Sequence, residues 1–355
     1  MCDFSSYGSP SKEWLALEAT LAPVPDLTRE GLHERKTATN DWREEAAALA
    51  MKTLAPQVRM QNHAIPPRDG QYNIEARSYR PSDVDPAEPL PVYMHLHGGG
   101  FLFGTLASED ATCAKIAINA RVAVLNVNYR HTPEHVYPTA WNDTQDAFEW
   151  LHDHIALLGG NAQQVVVGGI SAGGQLTASL VLEKHLGRIA TARPPIAGQV
   201  LMIPCLAHSD CYGPQLAKMR DPSVSSYQQC KDAPVLPVSV CHFFLNLLKI
   251  ENLDTRDTKL NPGNATPSQA RGLPPTVFGI AGMDPLRDEG LLYAKMLTEA
   301  GVPTDVSMFR GLPHGFSRFG DKLSACKRWD EVMENGIRWT LGNPVPSYVF
   351  EIKSD

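Results

Sequence analysis

The 355-residue sequence lacks any long apolar run, and no stretch approaches the roughly 18 residues that a membrane-spanning helix requires. Its start, MCDFSSYGSPSKEW, has neither a basic head nor an apolar stretch behind it. No secretory leader and no stable membrane insertion are therefore expected, and the expected compartment is the cytoplasm. Positive charge is short as well: 32 Lys and Arg stand against 39 Asp and Glu, a formal net charge of −7. That argues against a nucleic-acid partner, which needs a basic surface, but leaves small anionic ligands open. Cysteine is sparse and odd in number, at Cys2, Cys113, Cys205, Cys211, Cys230, Cys241 and Cys326, with no CxxC pair. Free thiols and no metal site are expected, with Cys205–Cys211 and Cys230–Cys241 left open as bridges. Sequons at Asn142 and Asn264 are read as chance matches in a chain not expected to be secreted. Internal repeats and low-complexity tracts are missing too, which sets aside solenoids and disordered arrays.

What is present is an alternation. Short β-branched or apolar runs occur at 74–81, 90–97, 121–129, 163–169, 198–204, 275–282 and 304–311. Most suit strands buried on both faces; the first, IEARSYRP, suits an edge. Helical stretches at 110–120, 139–158, 172–186, 286–301 and 327–342 separate or follow them. This rhythm predicts an α/β fold with a mostly parallel sheet and helices on both faces. Residues 1–70 are expected to be mostly helical, clearest at DWREEAAALAMKTLA (41–55). Residues 206–262 hold no strand run and are too long for an ordinary connection, so they are expected to form an inserted helical layer. With residues 1–70 they would cap a core built from 71–205 and 263–355.

The strongest local signal is VVVGGISAGGQL (165–176), a strand running through Gly169-Ile170-Ser171-Ala172-Gly173 into a helix. A serine on so sharp a turn takes a strained backbone conformation. Side chains two residues before or after would clash, which explains Gly169 and Gly173. The hydroxyl then emerges at the carboxyl end of the sheet, beside a helix N-terminus that favours developing negative charge. A nucleophilic serine needs a base and an orienting acid, expected downstream in the order acid, then histidine. Asp284 follows one strand run and His314 the next. Asp288 stays as the alternative acid, although Pro285 should place it on the following helix.

In HLHGGGFLFG (95–104), three glycines end a buried strand. Bare backbone there suits an oxyanion hole, with the N–H groups of Gly99, Gly100 and Ala172 as donors. Dinucleotide binding is the competing explanation, since Gly98, Gly100 and Gly104 also follow a strand. The spacing is weak evidence, and no clear acidic residue ends the next strand.

Together HGGGF (97–101), YRHTPEHVYP (129–138), GISAGG (169–174), DPLRDEG (284–290) and PHGF (313–316) make the chain resemble the hormone-sensitive-lipase-like carboxylesterases of the α/β-hydrolase superfamily. The resemblance implies an eight-stranded sheet with a helical cap, and the triad Ser171, Asp284 and His314. It implies His97 and Gly98 as shapers of the glycine loop, and Tyr129, Arg130, Glu134 and Asp143 as structural support. Ile170 stands where many relatives carry Asp or Thr. The expected activity is hydrolysis of a small-molecule ester without metal or organic cofactor, by a monomer or homodimer. Lactone opening, acyl transfer and elimination remain as alternatives on the same residues. A hormone receptor is less favoured, because plant gibberellin receptors resemble the family but lack the histidine that His314 supplies. Phe101, Tyr227, Phe243 and Phe244 are the candidate pocket residues, against the simpler expectation that they pack the cap.

Overall fold

The computed structural model describes residues 1–21 and 31–354. The chain enters through helices α1 (Lys12–Glu18) and α2 (Leu32–Leu54), then strands β1 (Val58–Ile65), β2 (Ile74–Pro81) and β3 (Leu90–Leu96). Helix α3 (Asp110–Ala120), β4 (Ala123–Asn128), α4 (Thr139–Asp153), β5 (Gly160–Ile170), α5 (Ala172–His185) and β6 (Gly198–Met202) continue the alternation. Three α-helices, α6 (Gly213–Leu216), α7 (Ser226–Gln229) and α8 (Val238–Leu247), occupy the insertion with short 3-10 helices at Ser209–Cys211 and Pro222–Val224. The remaining α-helices and strands are α9 (Pro267–Ala270), β7 (Thr276–Met283), α10 (Arg287–Glu299), β8 (Thr304–Pro313), α11 (Ala325–Leu341) and β9 (Lys353–Ser354), with a 3-10 segment at Phe316–Lys322 between β8 and α11.

The strands form one sheet in the order β1-β2-β4-β3-β5-β6-β7-β8-β9. β1 pairs antiparallel with β2, and β2 with β4; every other pairing is parallel. The central strands are buried on both faces. Val92, Met94 and Leu96 pack into one core cluster while Tyr93 packs into the other. Val165 and Val167 divide from Val166 in the same way. Near-continuous apolar strands are what a doubly covered parallel sheet requires.

Two expectations need correction. Residues 58–65, read as part of a helical N-terminal region, form strand β1. Its burial alternates nowhere: only Val58 and Ile65 at its two ends are buried. The strand exists because it pairs with β2 from Val58↔Pro81 to Ile65↔Ile74. The sheet also has nine strands, not eight, because the two-residue β9 pairs beside β8 through Ser307↔Lys353 and Met308↔Ser354.

The insertion is only partly helical. Of its three α-helices, only α8 exceeds four residues. It meets the N-terminal region where Leu32 and Leu247 share a cluster with Leu102. Among the described residues all seven cysteines are free thiols, and no helix is long and apolar enough to cross a membrane.

Candidate active site

Ser171 sits between β5 and α5 at φ 56° and ψ −114°. A non-glycine residue in this region costs on the order of 1–3 kcal/mol, so surrounding contacts must impose it. The Ser171 N–H donates to Met202 O at 2.9 Å, and Ser171 O accepts from Gln175 N at 3.1 Å. A Cβ on Gly169 would lie 2.2 Å from Gly173 O, and one on Gly173 would lie 2.0 Å from Leu96 O. Both glycines therefore permit the close approach of β5, α5 and the end of β3.

His314 lies just past β8, and its Nε2 is 2.9 Å from the Ser171 hydroxyl. Its Nδ1 is 2.7 Å from Asp284 Oδ2, just beyond β7. A carboxylate only accepts, so Nδ1 carries the proton and the Nε2 lone pair faces Ser171. The second oxygen of Asp284 accepts the Leu286 N–H at 2.9 Å. Asp284 is 1% exposed and His314 7%, while Ser171 remains partly accessible. Asp288 is engaged elsewhere, accepting from Ser226 N at 2.6 Å and from Arg287 Nε at 2.8 Å. Between the two candidate acids, only Asp284 meets the histidine. Such a line of groups can draw the proton from a serine hydroxyl as its oxygen attacks an electrophile.

The glycine loop leaves β3 beside this serine. Gly99 and Gly100 have φ of +135° and +62°. A Cβ on Gly99 would strike Phe103 O at 2.2 Å, and one on Gly100 would strike the Phe244 ring at 2.4 Å. The N–H groups of Gly99, Gly100 and Ala172 have no acceptor among the described residues. His97 stacks on Tyr129 with centroids 4.4 Å apart, and the Tyr129 hydroxyl donates to His97 O at 2.8 Å. Burial pushes the His97 imidazole down to about 4, so it is neutral near pH 7. Its Nδ1 reaches Gly98 O at 3.1 Å, and its ring fills the space beside Gly104, where a Cβ would lie 2.4 Å away. Arg130 forks onto the fully buried Asp143 at 2.6 and 3.0 Å. Glu134 is more exposed and pairs with Lys36 at 2.9 Å.

Four residues of α2 escaped the sequence analysis. Lys36 Nζ donates to Thr132 O at 3.3 Å, and Asn40 Oδ1 accepts the Gly104 N–H at 2.9 Å. Glu44 accepts the Thr105 hydroxyl at 2.6 Å. Arg43 donates to Gly98 O at 3.3 and 3.4 Å and to Glu109 at 2.7 Å. Burial alone would raise the Glu109 carboxyl; the His95 hydrogen bond and the Arg43 charge outweigh it and hold it at about 2. Glu289, also outside the residues singled out from the sequence, lies on α10 one residue beyond Asp288. It is fully buried, accepts from Leu206 N at 2.6 Å and Ala207 N at 3.1 Å, and takes the Tyr227 hydroxyl at 2.9 Å. Burial pushes its carboxyl up to about 8 despite these donors.

The aromatic candidates divide. Phe244 lies against Gly100 and meets Phe103 edge-on at 5.9 Å. Phe243 neighbours it at 6.3 Å, and Tyr227 packs in the cluster holding Cys205, Cys241 and Leu286, against which Phe244 also packs. Phe101 departs from the expected pocket role. Its φ of 60° turns it into the core, where it is 2% exposed and stacked on Trp141 at 5.0 Å.

A profile of the alpha/beta hydrolase fold family matches residues 93–318. Carboxylesterase NlhH of Mycobacterium tuberculosis is 35% identical over 75% of this chain and 78% of its own length. The ethyl acetate hydrolase of Pseudomonas putida is 32% identical over 81% of this chain and 84% of its own. Among solved structures, a vibralactone cyclase superposes with a TM-score of 0.83 at 26% identity, covering 95% of this chain and 96% of its own. A bacterial heroin esterase superposes at 0.76 with 27% identity, over 94% and 98%. By fold, by profile and by these relatives, the chain belongs to the α/β-hydrolase-fold family, in its hormone-sensitive-lipase-like carboxylesterase branch.

Proposed function

We propose that the chain hydrolyses carboxylic esters through an acyl-enzyme on Ser171. The observation that carries this reading is the line from the Ser171 hydroxyl through His314 to Asp284, at 2.9 and 2.7 Å. Ser171 Oγ attacks the ester carbonyl while its proton passes to His314 Nε2. Asp284 holds the ring in the required tautomer and stabilises the imidazolium. The tetrahedral oxyanion is held by the N–H groups of Gly99, Gly100 and Ala172, each worth roughly 3–4 kcal/mol. Collapse breaks the C–O bond to the leaving alcohol, whose oxygen takes the proton from His314. Water then gives a proton to His314 and attacks the acyl-enzyme. Collapse frees the acid and returns a proton to the Ser171 oxygen. The proposed cycle draws on side chains and backbone alone.

The N-terminal region and residues 206–262 serve as the cap in this reading, with Tyr227, Phe243 and Phe244 toward a small ester substrate. The contact of Phe244 with Gly100 supports it. Lactone closure or opening is the second reading, favoured by the likeness over 95% of the chain to a protein named as a cyclase. Closure needs a hydroxyl of the acyl group to attack the acyl-enzyme in place of water, releasing the Ser171 oxygen; opening breaks the ring C–O bond, keeps the freed hydroxyl on the acyl chain and still ends with water. Replacing Ser171 with alanine should lower turnover of p-nitrophenyl esters by several orders of magnitude. Near-wild-type turnover by S171A would sink the proposal. Esters of rising chain length assayed beside lactones decide between the two readings.

A further inference from the structure

We infer that Arg43, on the N-terminal helix α2, is a positioning residue for oxyanion stabilisation, fixing and polarising the peptide between Gly98 and Gly99. The inference rests on the proposed role of the Gly99 N–H. Lys36, Asn40, Arg43 and Glu44 have the spacing of one helix face. Between Leu32 and Ala47 helix α2 buries no side chain, and its apolar contacts, through Leu32, Met51 and Leu54, lie toward its two ends. Its polar contacts instead converge on the glycine loop and its flanks, at Gly98, Gly104, Thr105, Glu109 and Thr132.

The contact with Gly98 differs in kind from the others. The carbonyl of Gly98 and the N–H of Gly99 belong to one planar peptide unit, so holding the oxygen sets the direction of the N–H. Glycines on both sides leave this peptide free to reorient if nothing holds it. Both Arg43 terminal nitrogens and His97 Nδ1 reach that oxygen, at 3.3, 3.4 and 3.1 Å. A cation on the carbonyl side also strengthens the amide as a donor. Arg43 is in turn braced from the core, because Glu109 accepts from it at 2.7 Å and stands 3.1 Å from the buried His95. A guanidinium can span the two acceptors in one plane; an ammonium cannot.

The test compares wild type, R43Q and R43K for kcat and KM with p-nitrophenyl acetate. It also measures inhibition by an aryl trifluoromethyl ketone, whose carbonyl takes up the serine oxygen to form a tetrahedral oxyanion. R43Q is expected to lower kcat/KM about 10- to 100-fold through kcat, less than or equal to the loss of a whole donor. The ketone should weaken by the same factor while KM stays within about two-fold, and R43K should lose less. Unchanged ketone affinity, or a loss carried by KM, overturns the inference. If R43Q does not fold, R43K decides: ketone affinity and kcat/KM must fall together, and a change in only one refutes it. S171A separates the two levels. An active S171A refutes the proposed function, whereas an inactive S171A beside an R43Q of wild-type ketone affinity refutes the role of Arg43 alone.

Discussion

Replacing Gly173 with alanine would place a methyl carbon 2.0 Å from Leu96 O and 2.6 Å from His97 O. Both are backbone atoms at the end of β3, so neither can swing aside as a flexible side chain would. A tolerable contact begins near 3.0 Å, so the start of α5 and the end of β3 must part by about 1 Å, a misplacement that can cost on the order of 100-fold in rate. The direction of this movement matters. Ser171 and Ala172 travel with α5, whereas Gly99 and Gly100 travel with β3. The substitution therefore opens the proposed oxyanion hole across its middle. Overpacking of this kind also costs about 1–3 kcal/mol of stability. The assay is kcat/KM on p-nitrophenyl acetate and the rate of fluorophosphonate labelling, with circular dichroism and a melting curve to establish folding. Gly174→Ala should lose much less, because its nearest contact is Pro204 Cβ at 2.9 Å. Gly213→Ala, with nothing within 4 Å, should behave as wild type. A folded G173A with kcat/KM within about three-fold of wild type would refute the reasoning.

Asp284→Asn should lower kcat/KM by about three to four orders of magnitude, because an amide facing Nδ1 favours the tautomer that cannot accept the serine proton. Equal labelling of D284N and wild type by a fluorophosphonate would contradict this. Glu289 predicts a pH effect of unusual sign. Burial raises its carboxyl from 4.5 to about 8 in the folded chain, against the Leu206, Ala207 and Tyr227 donors and with Asp284 facing it. The folded state then holds the extra proton, so this contribution is fully present below the unfolded value and is lost as pH rises through about 8. Glu289→Gln, which stays neutral, should flatten the fall in melting temperature between about pH 5 and 9. Parallel melting-temperature curves for the two proteins would count against it.

The turn around Ser171 was legible because its demand is local: five residues decide whether a serine can stand on so sharp a bend. The parallel core was legible for a similar reason, since strands covered on both faces must be apolar along their whole length. Strand β1 was not, because six of its eight residues lie between its buried ends without alternation and only pairing with β2 makes it a strand. Asp284 and Asp288 are one helical turn apart in sequence, and chain order favoured the first. Only packing turned one toward His314 and the other toward Ser226 and Arg287. Phe101 follows the glycines directly, yet its backbone turns it into the core onto Trp141. Arg43 is 55 residues from Gly98, on a helix whose composition resembles any solvated surface. Sequence by itself determined which residues have the chemistry and which turns the backbone can make. Tertiary structure decided which of them meet, because hydrogen bonds of 2.7 to 3.4 Å depend on the packing of elements far apart in the chain.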